Sequence, residues 1–383
     1  MAQVVVVGAG MVGACCAYYL QTAGHDVTVL ERTGVAAGTT SGGEGNLLVS
    51  DKAPGPELDL ARRSATLWTE LGERLGGDSF ELDAKGGLVV APTETALAGL
   101  SAFADAQRAH GVDARPVAGR DLSDLEPHLN PDLLGGMYYP ADAQVQPMLA
   151  AAQLISAFRN AGGRLELGVT VGGLHCEDGG ITGVLTDQGI VPAEHVVNAA
   201  GTWSATLAEA FHTPIPILPR RGFVLVTEPL PPVIRHKVYS ADYVANVASS
   251  AGGLETSSVI EGTRAGTVLI GASRERVGFD RSVSVPVVRR LAALAVGLFP
   301  MLAGVDLLRV YAGFRPYSPD HLPIIGPDPR QPGLWHACGH EGAGIGLAPA
   351  TGELITQLLS GLPPTGSAAA FRPERFVSAG VPA

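Results

Sequence analysis

The sequence predicts an α/β fold in which a domain with a buried parallel sheet is interrupted by an α+β domain built on a large, mainly antiparallel sheet. Three observations lead to this prediction. The chain has 383 residues, more than one domain usually contains. Residues 1–31 have the pattern of a strand, a helix and a second strand. Residues 221–312 form a block that is rich in predicted strands.

The amino-terminal unit is the clearest element of the pattern. Residues 3–7 are a β-branched run, which is typical of a parallel strand buried on both faces. A helix-like stretch follows at 11–22, and residues 27–30 form a second strand that ends in Glu31. Together they predict one βαβ unit, the building block of a parallel sheet.

Hydrophobic periodicity predicts the later elements. Helices are expected at 57–76, 94–110, 148–162, 285–298 and 347–360. Strands are expected at 87–92, 164–171, 181–185, 196–198, 223–227, 267–271 and 334–337, with a turn at 177–180 and a loop after Gly313. The first domain is therefore predicted to comprise residues 1–84, 141–219 and 313–383, and the inserted domain residues 85–140 and 220–312.

Composition and charge exclude several classes of protein. Hydrophobic residues make up 46% of the chain and charged ones 16%, which excludes intrinsic disorder. The net charge is -11 and the basic residues form no cluster, so no nucleic-acid partner is expected. No apolar run reaches the roughly 18 residues of a membrane span, and the amino terminus lacks a basic signal-peptide region. We therefore expect a cytoplasmic protein without a transmembrane segment.

The cysteines predict no metal site. The chain has four of them, Cys15, Cys16, Cys176 and Cys338, and none forms a C-x-x-C pair. Neither a zinc ion nor an iron–sulfur cluster would find enough ligands at a usable spacing. The adjacent Cys15 and Cys16 fit small buried residues of a helix in a reducing compartment.

A glycine motif joins the first strand to the first helix. In Gly8-x-Gly10-x-x-Gly13, the first glycine permits a tight turn, the second lets a pyrophosphate approach, and the third lets helix and strand pack closely. The helix start would supply amide donors, and the carboxylate after the second strand would accept a ribose hydroxyl. The motif predicts a Rossmann-like site for an adenine dinucleotide, FAD or NAD. The expected contacts are Gly8, Gly10, Met11, Val12, Gly13 and Glu31.

The segment Gly38–Asn46 favours FAD over NAD. A nicotinamide dehydrogenase has no need of such a glycine-rich loop, whereas a flavin cofactor is longer and extends towards a second domain. The alternative is a solvent-exposed linker. The hydroxyls of this loop suit phosphate or ribityl contacts, and its end suits the isoalloxazine ring. The expected contacts are Thr39, Thr40, Ser41, Glu44, Gly45 and Asn46.

Together with later motifs, these features resemble the glycine oxidase/D-amino-acid oxidase family of FAD-dependent amine oxidoreductases over essentially the whole chain. The later landmarks are Asn198–Trp203, Arg220–Gly222, Gly271–Ser273, Ala312–Pro316, Pro323–Gly326, Gly339–Ile345 and Ala348–Gly352. Residues 259–280 and Gly339–Gly342 are similar to the flavoprotein subunits of opine oxidases, hydrogen cyanide synthase and D-hydroxyproline dehydrogenases. Such subunits often work in complexes, so the resemblance implies partner subunits for electron transfer, or else a homo-oligomer, with peripheral association with a respiratory membrane as a further option.

The resemblance implies a non-covalent FAD. Monomeric sarcosine oxidases attach their flavin through a cysteine, and the matching position here is Gly313. The glycine-rich stretch near Gly344 would begin a helix whose amino terminus stabilises charge on the reduced flavin. The further cofactor contacts that the resemblance implies are Arg32, Val171, Ala200, Gly201, Trp203, Gly339, His340, Glu341, Gly342, Gly344 and Ile345.

The resemblance also implies catalytic residues. Arg315 would bind the substrate carboxylate with two hydrogen bonds, a task that suits a guanidinium. His340 would contact the cofactor without acid–base chemistry, and Glu261 is either a substrate contact or an ordinary surface carboxylate. Where glycine oxidases place a substrate-facing tyrosine, this chain has Val259, which puts glycine as the substrate in doubt. The candidate replacements are Tyr239 and Tyr243.

The expected reaction is oxidation of the C–N bond of an amino or imino acid. A hydride would pass to flavin N5, and the resulting imine would hydrolyse. The substrate would be a small carboxylate-bearing amine: a D-amino acid, a hydroxyproline or proline, a sarcosine- or glycine-like compound, or an opine. One alternative is a non-catalytic flavin subunit that only transfers electrons. The other is an NAD-dependent dehydrogenase.

Overall fold

A computed structural model describes residues 1–247 and 249–377 of the chain. Ala248 of the predicted segment 220–312, and residues 378–383 of the segment 313–383, lie outside the described residues. The strands are β1 (Gln3–Val7), β2 (Asp26–Glu31), β3 (Asn46–Leu47), β4 (Gly87–Ala91), β5 (Arg115–Ala118), β6 (Gly135–Tyr139), β7 (Ala143–Gln144), β8 (Arg164–Leu167), β9 (Val171–Glu177), β10 (Gly180–Thr186), β11 (Gly189–Pro192), β12 (His195–Asn198), β13 (Leu218–Thr227), β14 (Lys237–Ser240), β15 (Glu255–Gly262), β16 (Val268–Arg274), β17 (Leu307–Tyr317), β18 (Ile324–Pro327) and β19 (Leu334–Cys338). The α-helices are α1 (Met11–Thr22), α2 (Pro56–Leu75), α3 (Glu94–Ala109), α4 (Leu122–Leu125), α5 (Pro147–Asn160), α6 (Ser204–Ala210), α7 (Ala241–Val247), α8 (Val285–Leu298), α9 (Gly344–Leu359) and α10 (Glu374–Val377).

The first layer is a six-stranded sheet in the order β18-β19-β12-β1-β2-β8. All its pairs are parallel except β18 with β19. The valines of β1 are buried, as the β-branched run predicts. Helix α1 leaves the carboxyl end of β1 and packs against α9 so closely that a Cβ atom on Gly352 would lie 2.8 Å from the carbonyl oxygen of Cys15. The predicted βαβ unit is confirmed.

The second layer is an eight-stranded sheet in the order β17-β13-β16-β15-β14-β4-β6-β5. Its pairs are antiparallel except β14 with β4, in agreement with the predicted, mainly antiparallel sheet. Helix α8 covers one face with Val287, Leu291 and Ala295. The strands of this sheet lie between residues 87 and 317, so the predicted boundary before Gly313 falls inside β17. The limits of the two domains stay a prediction.

Two predicted elements differ from the structure. The loop expected after Gly313 is wrong, because β17 continues to Tyr317. Strand β17 is at the edge of its sheet, where Pro316 needs no hydrogen-bonding partner for its nitrogen. The strand expected at 164–171 is interrupted at Gly168, whose φ of +74° ends β8 before β9 begins. Most of the other predicted helices and strands differ from the observed bounds by one to three residues.

Candidate active site

A cavity of about 490 Å³ lies where the two sheets meet. It opens at the carboxyl ends of β1, β2 and β12, the edge at which parallel sheets bind ligands. Most of the predicted cofactor-binding residues line it: Gly8, Gly10, Met11, Val12, Glu31, Arg32, Thr39, Thr40, Glu44, Gly45, Asn46, Val171, Ala200, Gly201, Trp203, His340, Glu341, Gly342, Gly344 and Ile345. Three predicted residues, Gly13, Ser41 and Gly339, are not part of its wall.

These three residues support the wall from behind. A Cβ atom on Gly13 would overlap the carbonyl oxygen of Gly8, so this glycine serves helix–strand packing. The hydroxyl of Ser41 donates to the carbonyl oxygen of Gly38 at 3.0 Å and closes the turn inside the loop. Gly339 has a φ of +75° and packs against Ile217 and Ile324. They therefore have structural roles in the wall, and their contact with the cofactor stays a prediction.

The glycine turn after β1 is fastened by two side chains. The amide of Ala9 donates to one carboxylate oxygen of Glu31 at 2.9 Å, and the other oxygen accepts from the amide of Thr33 at 2.8 Å. The amide of Met11, in the first turn of α1, donates to the hydroxyl oxygen of Thr40 at 2.9 Å. Because that oxygen already accepts a bond, the Thr40 proton remains to be donated. The turn, the end of β2 and the loop after it are therefore joined by hydrogen bonds.

Backbone rather than side chains forms much of the cavity wall. A Cβ atom on Gly8 would lie 2.6 Å from the carbonyl oxygen of Ala199. A Cβ atom on Gly42 would lie 2.6 Å from Cα of Gly313, where the loop crosses β17. Only glycine allows the two backbone segments to approach so closely at these positions. Since no side chain projects there, the cavity beside them is open to a ligand. At the other end, the guanidinium of Arg32 lies 4.3 Å from the ring centre of Trp203.

Arg315 is the cation on the sheet side of the cavity. Its Nη1 donates to the carbonyl oxygen of Ser273 at 2.8 Å, which holds the half-buried side chain in one position. Burial and, next, the charge of Arg274 lower the pKa of Arg315. Among the described residues, no ion pair involves Arg315. A half-buried guanidinium outside these ion pairs has donors left for an anionic group of a ligand.

His340 lies in the cavity wall before α9 and is almost fully buried. Its Nε2 is 2.9 Å from the hydroxyl of Thr351, which donates its own proton to the carbonyl oxygen of Leu347. Nε2 is therefore the protonated nitrogen. Burial lowers the pKa of His340 to about 3, so the ring is neutral at ordinary pH. This state agrees with a cofactor contact that moves no proton.

Glu261 does not line the cavity, and it is not a surface carboxylate. It is fully buried in an ion pair with Lys237 and accepts a hydrogen bond from Nε2 of Gln144 at 3.0 Å. Burial raises the pKa of Glu261, and the charge of Lys237 opposes that rise. The Nζ of Lys237 also donates to Oδ1 of Asn46, which does line the cavity. The expected position is corrected: Glu261 lies behind the wall and is linked to the cavity residue Asn46 through Lys237 and through Gln144, whose backbone pairs with Asn46.

The structure separates the two candidate tyrosines and adds residues to the predicted wall. Tyr243, one of the two candidate tyrosines, lines the cavity, whereas Tyr239 is buried behind it and bonds to Ser50. Phe279 is outside the wall and stacks on the wall residue Trp203 with ring centres 5.4 Å apart. Further wall residues outside the prediction are Gly43, Thr170, Gly172, Thr206, Val224, Arg281, Phe314 and Cys338. Most of them come from segments that are distant in sequence and carry no local pattern, whereas Gly43 and Phe314 lie inside the predicted segments 38–46 and 312–316 without an assigned contact.

Comparison with known proteins identifies the family. The sequence model of the family described as FAD dependent oxidoreductase matches residues 3–358. The chain belongs to this family. Glycine oxidase from Pseudomonas putida is 31% identical over 382 residues, which cover 97% of this chain and 98% of that one. Hydrogen cyanide synthase subunit HcnC from Pseudomonas aeruginosa is 30% identical over 399 residues, with 93% and 92% covered.

The fold of this FAD-dependent oxidoreductase agrees with solved structures. The crystal structure of glycine oxidase from Geobacillus kaustophilus superposes with a TM-score of 0.87 at 28% identity, covering 97% of this chain and 99% of that one. L-proline dehydrogenase from P. horikoshii has the same fold, with a TM-score of 0.89 at 24% identity and 99% and 98% covered. The predicted α/β fold and the expected resemblance are confirmed.

FAD is thus the cofactor of this oxidoreductase, and NAD is excluded as the alternative. The cavity suits it: the volume lies within the roughly 300–1,000 Å³ of ligand sites, and glycines keep its wall open to a long molecule. In the described part of the chain, no group of three His, Cys, Asp or Glu residues is arranged to hold a metal ion. Nor does any helix in that part have the length and hydrophobicity to cross a membrane.

Proposed function

We propose that this flavoenzyme oxidises the C–N bond of an amino or imino acid whose carboxylate binds to Arg315. The observation that carries this proposal is an arginine on the cavity wall that belongs to no ion pair of the described residues and is held by the carbonyl of Ser273. A guanidinium presents two parallel N–H donors, which match the two oxygens of a carboxylate. The names of the relatives, glycine oxidase among them, support a substrate of this class.

The cofactor would be held by the glycine turn after β1, the loop at 38–46 and the segment before α9. Glu31 would accept a hydrogen bond from the ribose, and the first-turn amides of α1 would face the phosphates. FAD, when bound, supplies the acceptor for the hydride that leaves the carbon next to the nitrogen. No protein base is needed for that transfer, in agreement with the neutral state of His340.

The residues of the chain would position the substrate and stabilise negative charge in the cavity. Arg315 would fix the substrate by its carboxylate, so that the reacting carbon is presented in one orientation. The amino terminus of α9, with Gly344 and Ile345 in the wall, carries a partial positive charge that stabilises negative charge in the cavity. Tyr243 would close the substrate side, since Val259 is fully buried and outside the wall. A C–N oxidation needs little more than these groups.

An anaerobic reduction assay tests the proposal. The purified protein with bound FAD is mixed with D- and L-amino acids, prolines, sarcosine and opines, and loss of the oxidised-flavin absorbance is followed. We expect bleaching by at least one compound, and Arg315→Ala should raise its KM by about 100-fold or more, as loss of a charged hydrogen-bonded contact does. Arg309→Ala, on the exposed part of the same strand, is the control and should behave as wild type.

Two outcomes would contradict the proposal. If Arg315→Ala binds FAD and reacts with unchanged kinetics, the carboxylate site is assigned to the wrong residue. If no amine bleaches the flavin but a reduced partner protein does, the chain is the electron-transfer subunit that the sequence leaves as an alternative. Readmission of air to the bleached enzyme then separates direct reaction with oxygen from transfer to another acceptor.

A further inference from the structure

A second guanidinium lies beside the first. Arg274 ends β16, and only 4% of its surface is exposed. Its Cζ lies 4.8 Å from the ring centre of Tyr243, which lines the cavity. Its Nη1 is buried and has no hydrogen-bond partner among the described residues. A buried, charged donor without a partner is costly, because its lost hydration is not replaced.

Arg274 and Arg315 approach each other across the sheet. Arg315 donates to the carbonyl oxygen of Ser273, the residue directly before Arg274. The charge of Arg274 contributes to the lowered pKa of Arg315, as expected for two cations in one region. Among the described residues, none of the ion pairs includes either arginine. The neighbouring buried cations are paired: Arg220 with Glu255 and Glu341, Lys52 with Asp51 and Glu57, and Lys237 with Glu261.

Two carboxylates, Glu44 and Glu341, also line the cavity, and Glu341 is already paired with Arg220 and His321. Since neither carboxylate forms an ion pair with Arg274 or Arg315, the two guanidinium groups are complementary to two anionic groups in one ligand. We propose that the substrate is an amino or imino acid with two carboxylates, and that Arg274 binds the second one while Arg315 binds the first. The inference rests on the proposed function, which it deepens by naming the substrate class. Arg274 itself lies behind Tyr243 and is not part of the cavity wall, so its side chain would turn past the Tyr243 ring to reach the ligand. That movement would give its unpartnered Nη1 an acceptor, and the second carboxylate would offset the mutual repulsion of the two guanidinium groups.

A matched pair of substrates tests this inference in the wild-type enzyme. Iminodiacetate and sarcosine are both secondary amines with one carboxymethyl arm, and they differ in whether the other arm ends in a carboxylate or is a methyl group. The rate of anaerobic flavin reduction is measured against the concentration of each. We expect the second-order rate constant for iminodiacetate to exceed that for sarcosine by at least 50-fold. D- and L-aspartate and glutamate, each against the corresponding alanine or aminobutyrate, extend the comparison to primary amines.

Variants then assign the effect to Arg274. Arg274→Gln should lower the rate constant for the preferred diacid at least 30-fold and change that of its mono-acid partner less than threefold. Arg274→Lys keeps the charge but not the paired donors. Its rate constant for the preferred diacid should therefore lie between those of the wild type and Arg274→Gln. Arg276→Gln is the matched control, because Arg276 is exposed and donates to the carbonyl oxygen of Ser250, whereas Arg274 is buried against the cavity residue Tyr243. It should leave the preference unchanged.

Binding of inert analogues gives a readout that does not depend on turnover. Diglycolate and methoxyacetate replace the amine of the substrate pair by an ether oxygen, and each is titrated while the flavin spectrum is recorded. We expect diglycolate to bind at least tenfold more tightly, and Arg274→Gln to abolish the difference. Equal binding of the two analogues, or an equal loss of both in the variant, would overturn the role of Arg274.

The two proposals fail in different ways. If mono-acids reduce the flavin as fast as diacids, the diacid inference is wrong and the C–N oxidation stands. If no amine reduces the flavin, the proposed function is wrong, and the titrations still decide whether Arg274 binds a second carboxylate. Should Arg274→Gln not fold, the wild-type comparison of matched compounds decides alone.

Discussion

The guanidinium of Arg315 lies in the space that a side chain on Gly222 would need. A Cβ atom at residue 222 would overlap Nη1 of Arg315 and would lie 2.5 Å from the carbonyl oxygen of Ser273. Gly222 belongs to β13 and pairs with Gly313 of the neighbouring strand, so Arg315 reaches across it. Glycine is needed at residue 222 to leave room for the Arg315 side chain, and not because of a positive φ angle.

We expect Gly222→Ala to displace Arg315 and to raise the KM for a carboxylate substrate by about tenfold or more, since the contact would lose its geometry. Overpacking should also cost about 1–3 kcal/mol of unfolding free energy. Steady-state kinetics and urea unfolding of the FAD-bound protein measure the two effects. In contrast, Gly99→Ala in α3 meets no atom within 4 Å and should be at least as stable as wild type. An unchanged KM for Gly222→Ala would show that Arg315 does not need this space.

Glu31 gives a prediction about cofactor affinity. Its carboxylate accepts from Ala9 and Thr33, so Glu31→Gln replaces one acceptor by a donor and loosens the glycine turn. We expect a rise of about tenfold in the Kd for FAD, equal to about 1.4 kcal/mol, measured by flavin fluorescence on the apoprotein. Glu194→Gln is a matched control, because Glu194 accepts from the amide of Gln3 at the opposite end of β1, away from the cavity. Equal affinities in the two variants would contradict the assignment.

Much of the fold and of the cofactor site follows from local sequence. Residues 3–31 carry the βαβ pattern because a buried parallel strand needs consecutive apolar residues and a pyrophosphate turn needs glycines. The loop at 38–46 and the stretch near Gly344 are likewise rich in glycine, which allows a cofactor to approach the backbone. In each case a requirement on the backbone is visible in a few neighbouring residues.

The substrate side of the cavity does not follow from local sequence. Tyr243 and Arg274 meet there because α7 packs against β15, the strand next to β16 in the sheet, and not because the two residues are close in sequence. Glu261 has the pattern of an ordinary strand residue, and only the structure shows that Lys237 pairs with it. Pro316 in β17 suggests a loop because proline interrupts most strands, and the edge position that permits it is a property of the whole sheet.

Asp328 gives a prediction about pH. Against the effect of burial, hydrogen bonds from Arg330 and His336 hold the pKa of Asp328 well below its usual range. Its stabilising contribution is therefore complete above the unfolded value of about 3.9 and is lost as the pH falls towards the folded value. Asp328→Asn should lower the unfolding free energy by about 2 kcal/mol at pH 7, and the difference from wild type should shrink below about pH 4.

Urea unfolding at pH 7, 5, 4 and 3 measures this difference. The control is Asp113→Asn, which removes an exposed ion pair with Arg115 and should leave the stability unchanged at every pH. A deficit in Asp328→Asn that is the same at pH 7 and pH 3 would mean that the loss comes from packing and not from the charge of the carboxylate.

The two candidate tyrosines should separate into a substrate residue and a structural residue. Tyr243 lines the cavity and carries the guanidinium of Arg274 on its ring, so Tyr243→Leu should lower kcat/KM by about tenfold or more through loss of that surface. Tyr239 is fully buried behind the wall and bonds to Ser50. Tyr239→Leu should therefore lower the unfolding free energy by about 2 kcal/mol or more while leaving kcat/KM of the folded enzyme near the wild-type value. Kinetics and urea unfolding on both variants check the expected separation. The rings of the two tyrosines are in contact, with their centres 5.2 Å apart. If activity were lost only in Tyr239→Leu, the substrate would lie on the Tyr239 side of this contact and the assignment of Tyr243 would be wrong.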